Sequence, residues 1–234
     1  MSYLLPELYD ALYGFKQYAA EADAIHAVVQ ELRPGARSLL DVACGTGRHL
    51  EQLRDRYVVE GLDLDDGLLA IARRRLPGVR LHAGDMRNFD LGRRFDAVTC
   101  LFSAIGHLAA TTELDAAIAT MGRHLEPGGA LVVEPWLTPD EWIPGRPALL
   151  TVDEPDLKVA RISMTGKRGM TSLLDFHYLV ATPGGVESVV EHLELELFTH
   201  DETMAAFERA GLDVFYDEQG PTGRGLYVGV RRNP

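Results

Sequence analysis

In LLDVACGTGRHL, residues 39 to 50, an apolar run passes Asp41, turns through Gly45-Thr46-Gly47 and continues at once as a helical pattern. A glycine-rich turn after a strand lets a ligand approach backbone atoms that a Cβ would block, so the stretch reads as a cofactor cradle. Two nucleotide motifs fail on it. A phosphate loop ends in Gly-Lys-Ser/Thr, whereas Gly47 is followed by Arg48-His49, and a dinucleotide turn needs a third glycine that CGTGRHL lacks. Asp63, in GLDL at the end of the next apolar run, stands about 20 residues beyond the turn, where an acid can take the hydroxyls of a ribose. The pattern asks for a cofactor with a ribose and does not ask for a pyrophosphate.

Other residues could act on a substrate. His107, in SAIGHL, follows the run FDAVTCLF, and the carboxyl end of such a strand is where open α/β sheets bind ligands. An imidazole with an ordinary pKa of about 6.5 can take a proton near neutrality; the competing reading is a packed or helix-starting histidine. Arg224 lies among Gly220, Gly223 and Gly225 in GPTGRGLYVGV. Glycine turns expose N–H groups and a guanidinium presents a fork matched to phosphate, although a tight hairpin with a surface arginine has the same composition. Trp136, after the fifth apolar run, either stacks on a ligand or packs in the core. Tyr9, Tyr13 and Tyr18 crowd the first segment, as an amphipathic flap would. His49, His82 and His124 read as structural. His26, His177, His192 and His200 show no ligand spacing with a carboxylate or cysteine, so no metal site is expected.

Something must hold these groups in place. Ala20, Ala24, Ile25, Val28, Val29 and Leu32 recur at helical spacing before Pro34-Gly35. Five apolar runs follow, SLLDVA, YVVEGLDL, VRLHAGD, FDAVTCLFS and ALVVEPW, with helical patterns between them. Asp65-Asp66 can cap one of these helices; Thr112-x-x-Asp115 predicts a capping box for another, which Pro127-Gly128-Gly129 should end. Strand alternating with helix implies a parallel sheet covered on both faces. After Trp136 the pattern changes. Pro135, Pro139, Pro144 and Pro147 mark an irregular link, and LLDFHYLVA and VVEHLELELF alternate with period two, as an antiparallel sheet with one wet face does. Thr199-x-x-Glu202 then predicts a capped helix ending at Gly211, and DVFYDE and GLYVGVR finish the chain as strands. The expected division is a cofactor-binding α/β core with N-terminal lid helices over 1–136, an inserted substrate-binding antiparallel sheet over 137–198, and a helix and strands completing the core sheet over 199–234.

A chain of 234 residues, 46% hydrophobic, can bury a full core. A formal charge of -12 argues against nucleic acid or an anionic membrane surface as the main partner, while leaving room for a small anion held by one local basic group. MSYLLPELYDALYG has neither a basic n-region nor a long apolar stretch, and a cytoplasmic protein is expected. The two cysteines, Cys44 and Cys100, form no CxxC pair and sit in apolar runs, so both are expected to be buried thiols.

DVACGTG, Asp63, GDMRNF with Asp85, and EPGG before the late strand occur in an order that resembles the class I methyltransferases that use S-adenosylmethionine. The resemblance implies a Rossmann-like fold with a mostly parallel seven-stranded sheet. It also implies that Ala43 and Gly45 line the methionine and ribose portion, that Asp63 takes the ribose hydroxyls, and that Asp85 and Met86 hold the adenine, with Leu101 beside the cofactor. Asp41 is left with two readings, a buried capping carboxylate or a direct cofactor contact. YDALYGFKQYAAEA, SAIGHL, EPGGALVVEPW, FHYLVA and GPTGRGLYVGV narrow the resemblance to the N-methyltransferases that dimethylate nucleotide-linked amino sugars in macrolide pathways. That group implies His107 and Tyr9 at the acceptor amine, Tyr18 at the cofactor carboxylate and a small-molecule amine substrate; from their own residue types Arg224 and Trp136 are the candidates for the nucleotide, and the chain can act as a monomer or a homodimer. EPWLTPDEW and RISMTGKR depart from its pattern, as does Gln17, where the group has an acid.

Overall fold

The computed structural model describes residues 6–233. The first five residues of MSYLLPELYDALYG, and Pro234, lie outside the described residues. A 3₁₀ turn, Pro6–Leu8, leads into the short helix α1 (Tyr9–Leu12) and then α2 (Tyr18–Leu32), which ends where Pro34-Gly35 predicts. The alternating region follows as β1 (Ser38–Val42), α3 (Arg48–Leu53), β2 (Val58–Asp63), α4 (Asp66–Arg75), β3 (Arg80–Ala83) and β4 (Phe95–Cys100). A 3₁₀ turn over Ala104–His107, α5 (Thr111–Arg123) and β5 (Leu125–Val133) complete it. Four long strands come next, β6 (Pro147–Glu154), β7 (Leu157–Arg168), β8 (Thr171–Thr182) and β9 (Gly185–Glu196). The chain then adds α6 (His200–Arg209), β10 (Leu212–Asp217) and β11 (Leu226–Arg231).

Seven strands form one sheet in the order β10-β11-β5-β4-β1-β2-β3, with β5, β4, β1, β2 and β3 parallel and β11 antiparallel to both neighbours. This is the Rossmann-like class I methyltransferase sheet that the sequence implies. Successive residues of a strand point to opposite faces, and both faces are covered. Leu40, Val98 and Leu131 pack with Ile118, Met121 and Phe207 on one side, while Leu39, Ala97 and Val132 pack with Ile25, Val29, Leu50 and Leu69 on the other. The order reverses between β1 and β4, and ligands bind outside the carboxyl ends of strands at such a switch point.

Caps explain two of the helix starts. The Asp65 carboxylate accepts the Leu68 N–H at 3.0 Å, and α6 begins with the expected reciprocal box between Thr199 and Glu202. The box predicted at Thr112-x-x-Asp115 is absent. The residue preceding α5 is Ala110, and the Glu113 carboxylate turns back to accept the Ala109 N–H at 2.8 Å, satisfying a donor ahead of the helix instead. Pro127-Gly128-Gly129 also does not end that helix. It lies inside β5, where the β4–β5 register shifts, and a Cβ on Gly129 would stand 2.9 Å from the Glu126 carbonyl oxygen and 3.0 Å from that of Asp96.

The second sheet is antiparallel, in the order β6-β7-β8-β9, and Pro147 opens its edge strand, where a missing N–H is tolerated. Its inner face, including Val159, Phe176, Tyr178 and Val180, packs against Leu12 of α1. Trp136 ties it to the core by donating from Nε1 to Ser172 Oγ at 3.0 Å. Among the described residues, no helix is long and apolar enough to cross a membrane.

Candidate active site

The glycine turn after β1 is built as its residues require. Gly47 precedes α3 with φ +80°, and a Cβ there would stand 2.7 Å from Leu76 Cδ1. Gly45, with φ +55°, would point a Cβ into open space, the space a ligand approaching the backbone would need. Ala43 adopts φ 58°, and Phe102 and Ser103, just beyond β4, adopt 54° and 61°. Left-handed backbone at non-glycine residues costs of order 1–3 kcal/mol each and concentrates at functional sites. All three lie at the carboxyl ends of neighbouring strands.

Those ends open into one cleft, lined among others by Tyr9, Gly45, Asp63, Asp85, Met86, Leu101 and His107. A smaller recess beside it is lined by Tyr9, Tyr18, Asp41, Ala43, Gly45, Arg48 and Leu101. The structure thus brings together the expected cofactor residues, and brings Tyr9 and His107 to the same cleft. Asp63 accepts the Gly45 N–H at 2.7 Å on one oxygen and the Asp65 N–H at 2.8 Å on the other. Burial raises its pKa. A carboxylate has about four acceptor positions, so lone pairs remain for a pair of hydroxyls. Asp85 is gripped by Arg87, which lowers its pKa; Arg87 also reaches Glu113. Asp41 is fully buried beside the recess and accepts a hydrogen bond from Thr99 Oγ1 at 2.7 Å; burial pushes its carboxyl up to about 6.

The cleft differs from the expectations at its histidine. His107 does not titrate near 6.5, because burial lowers its pKa to about 4 and leaves the ring neutral at pH 7. Arg224 and Trp136 do not face the cleft. They line a narrow neighbouring pocket with Glu141 and Tyr216, where the guanidinium lies over the indole at 5.1 Å and donates to Ser103 Oγ at 2.9 Å. His49, His82 and His124 hold structural bonds, to Glu21, Glu60, and the backbone of Leu91 and Thr120 respectively. Cys44 and Cys100 are buried free thiols whose pKa burial raises.

Four positions at the site carry no motif that marks them in the sequence. Arg48 follows the glycine turn, lies 5.4 Å from the Tyr18 ring and lines the recess. Asp10 ties α1 to that turn by accepting from Thr46 Oγ1 at 2.6 Å, and to α4 by accepting from Arg75. Phe102 lines both the cleft and the recess, and Glu134 anchors it from beneath. For Arg48 the sequence offers position alone, a cation beside the cofactor turn in CGTGRH; the others depend on contacts between distant segments.

A seven-stranded sheet whose order reverses at a glycine turn, with Asp63 at the end of the next strand, has the architecture of the nucleotide-cofactor α/β folds. A family described as methyltransferase domain matches residues 39–129. The chain is 47% identical over 97% of its length, and 90% of the relative's, to the dTDP-3-amino-3,6-dideoxy-alpha-D-glucopyranose N,N-dimethyltransferase of Streptomyces fradiae. It is 46% identical to the corresponding 3,4,6-trideoxy-sugar enzyme of Streptomyces venezuelae, over 96% of both. The crystal structure of Streptomyces venezuelae DesVI superposes with a TM-score of 0.92 at 46% identity, covering 96% of this chain and 97% of that one. S-adenosylmethionine-bound CalS10, an amino pentose methyltransferase from Micromonospora echinaspora involved in calicheamicin biosynthesis, gives 0.89 at 45% identity over 96% of each. The chain belongs to the family of S-adenosylmethionine-dependent sugar N-methyltransferases, with the inserted sheet that the sequence expected.

Proposed function

We propose that this enzyme transfers methyl groups from S-adenosylmethionine to the amino nitrogen of a nucleotide-linked amino sugar. The observation that carries the reading is the meeting of Tyr9 and a neutral His107 in one cleft with Asp63, Asp85 and Met86. Three relatives that match 96–97% of this chain carry names of dTDP-amino-sugar N,N-dimethyltransferases.

Asp63 would hold the ribose hydroxyls, Asp85 and Met86 the adenine, and Tyr18 with Arg48 the methionine carboxylate. When bound, S-adenosylmethionine supplies an electrophilic methyl on a positively charged sulfur. The protein's task is mostly orientation, which in good cases contributes roughly 7–11 kcal/mol. The acceptor nitrogen needs a lone pair directed at that methyl. His107, neutral at pH 7, accepts a hydrogen bond from the amine N–H and so holds the lone pair forward, while the methylated nitrogen carries its extra proton as an ammonium and loses it to solvent. Tyr9 directs the amine from the lid side. Arg224 and Trp136, in the adjoining pocket, are assigned to the nucleotide diphosphate and its sugar or base; the guanidinium keeps its Nη1 bond to Ser103 and offers its other N–H groups to phosphate.

The test is turnover of a dTDP-linked amino-deoxysugar followed by mass spectrometry. Methyl groups should appear on the sugar nitrogen, and His107→Ala should slow transfer about a hundredfold or more while leaving S-adenosylhomocysteine affinity unchanged. Equal loss of rate and affinity would remove His107 from its assigned role.

We also propose that two copies pair through the outer face of the second sheet. Leu149, Ile162, His177 and Val190 are cross-strand neighbours and form one exposed row, flanked by Met164 and Leu179. The charges bordering this row are already matched within the face, Asp175 with His192, Arg168 with Glu194 and Asp153 with Lys158. A near-neutral apolar face fits a second identical face better than a charged partner.

A further inference from the structure

Beyond anchoring Phe102, Glu134 joins two segments, one lining the cleft and one lining the neighbouring pocket, both of which end on its carboxylate. It is 1% exposed, immediately after β5. Its Oε2 accepts the Phe102 N–H at 2.6 Å, and its Oε1 accepts the hydroxyl hydrogen of Thr222. Phe102 and Ser103 are the two consecutive left-handed residues that lead into the His107 turn. Thr222 lies in the glycine loop that carries Arg224, and that loop returns to the same place, since Arg224 Nη1 donates to Ser103 Oγ at 2.9 Å. The Ser103 hydroxyl in turn donates to the Pro135 carbonyl at 2.6 Å. Residues 134 and 135 therefore hold the turn at 102–103 from below, and the 222–224 loop locks it from the side.

Two adjacent left-handed non-glycine residues do not persist unless their surroundings over-determine them. A buried carboxylate accepting a backbone N–H is a strong, short bond in a site shielded from water. We infer that Glu134 is a positioning residue that clamps the His107 turn and the Arg224 loop together, so that the acceptor amine and its nucleotide are gripped in one register. The inference rests on the sugar-nucleotide reading for its kinetic consequence, and on geometry alone for the clamp.

The clamp can be tested without substrate. Glu134→Gln keeps one acceptor oxygen where two are needed, so amide hydrogen exchange should quicken in both 101–107 and 220–225. Thr222→Val removes only the loop tie, and exchange should quicken in 220–225 alone. Exchange unchanged in either segment of Glu134→Gln overturns the clamp. Steady-state kinetics then ask what the clamp does. Glu134→Gln should lower kcat and raise KM for the nucleotide sugar, each about tenfold, with the Kd for S-adenosylhomocysteine within about twofold. Thr222→Val should raise KM with a smaller effect on kcat, and the double variant should be no worse than Glu134→Gln, because both remove the same tie. Multiplicative losses in the double variant, or an S-adenosylhomocysteine affinity that falls in step with KM, would reduce Glu134 to general structural support. If Glu134→Gln does not fold, Thr222→Val still decides through its exchange pattern. A wild type that turns over no sugar nucleotide refutes the functional reading while the exchange result stands on its own.

Discussion

Buried titratable groups at this site work against one another. Asp41 has its carboxyl pushed from 3.8 up to about 6 by burial. A folded-state pKa above the unfolded one means that the folded chain holds its proton longer, so stability is greatest below about pH 3.8 and is lost as pH rises through about 6. The interval corresponds to a penalty of about 3 kcal/mol at neutral pH. Asp41→Asn keeps an oxygen for the Thr99 hydroxyl and removes the buried charge, so its melting temperature should exceed the wild type's at pH 8, with the gap closing by pH 4. The same substitution should weaken S-adenosylhomocysteine binding in a calorimetric titration, because the carboxylate borders the recess beside the glycine turn. Undiminished affinity would leave Asp41 as a capping group only. His107 has the opposite sign. Its pKa falls from 6.5 to about 4, so the stability it contributes is present above 6.5 and lost as pH falls through 4. An NMR titration of its ring should show a midpoint near 4, and a midpoint near 6.5 would restore the tuned base that the sequence suggested.

At the scale of the elements, the glycine turn and the α6 cap make a useful contrast. Gly47→Ala forces a Cβ into left-handed backbone and against Leu76, and should cost about 1–3 kcal/mol and loosen S-adenosylhomocysteine, because the turn shapes the cradle. Thr199→Ala should cost about 1 kcal/mol through loss of the capping box and leave that affinity alone, as α6 packs on the far side of the sheet. Thermal melts with paired titrations separate the two. The same contrast explains what the sequence disclosed. SLLDVACGTG and Thr199-x-x-Glu202 were legible because each is governed by neighbours a few residues away. The start of α5 was not, since Glu113 chose the Ala109 N–H over the pairing that spacing suggested. EPGG has the composition of a helix stop because nothing local shows that Gly129 must fit against Asp96 of another strand. The low pKa of His107 and the clamp on Glu134 were hidden for the same reason: burial and meetings between residues 102, 134 and 222 are properties of the assembled fold.

The whole molecule carries a formal charge of -12, which should keep copies apart unless a surface of low net charge and large apolar area brings them together. The outer face of the second sheet has both properties. Leu149 is 67% exposed, Ile162 57% and Val190 45%, in register across three strands, while the inner face of the same sheet is already committed to α1. Sheets stack face to face about 10 Å apart, so a two-fold axis through this row would cover it in both copies at once. Ile162 sits on β7, one of the two central strands, and Ile162→Glu would place like charges opposite each other at that axis. Light scattering should therefore give twice the chain mass for the wild type and a single chain mass for the variant, with S-adenosylhomocysteine affinity preserved because the cleft lies on the other sheet. A variant that stays paired would move the contact elsewhere, and a wild type already monomeric would leave the exposed row without its second copy.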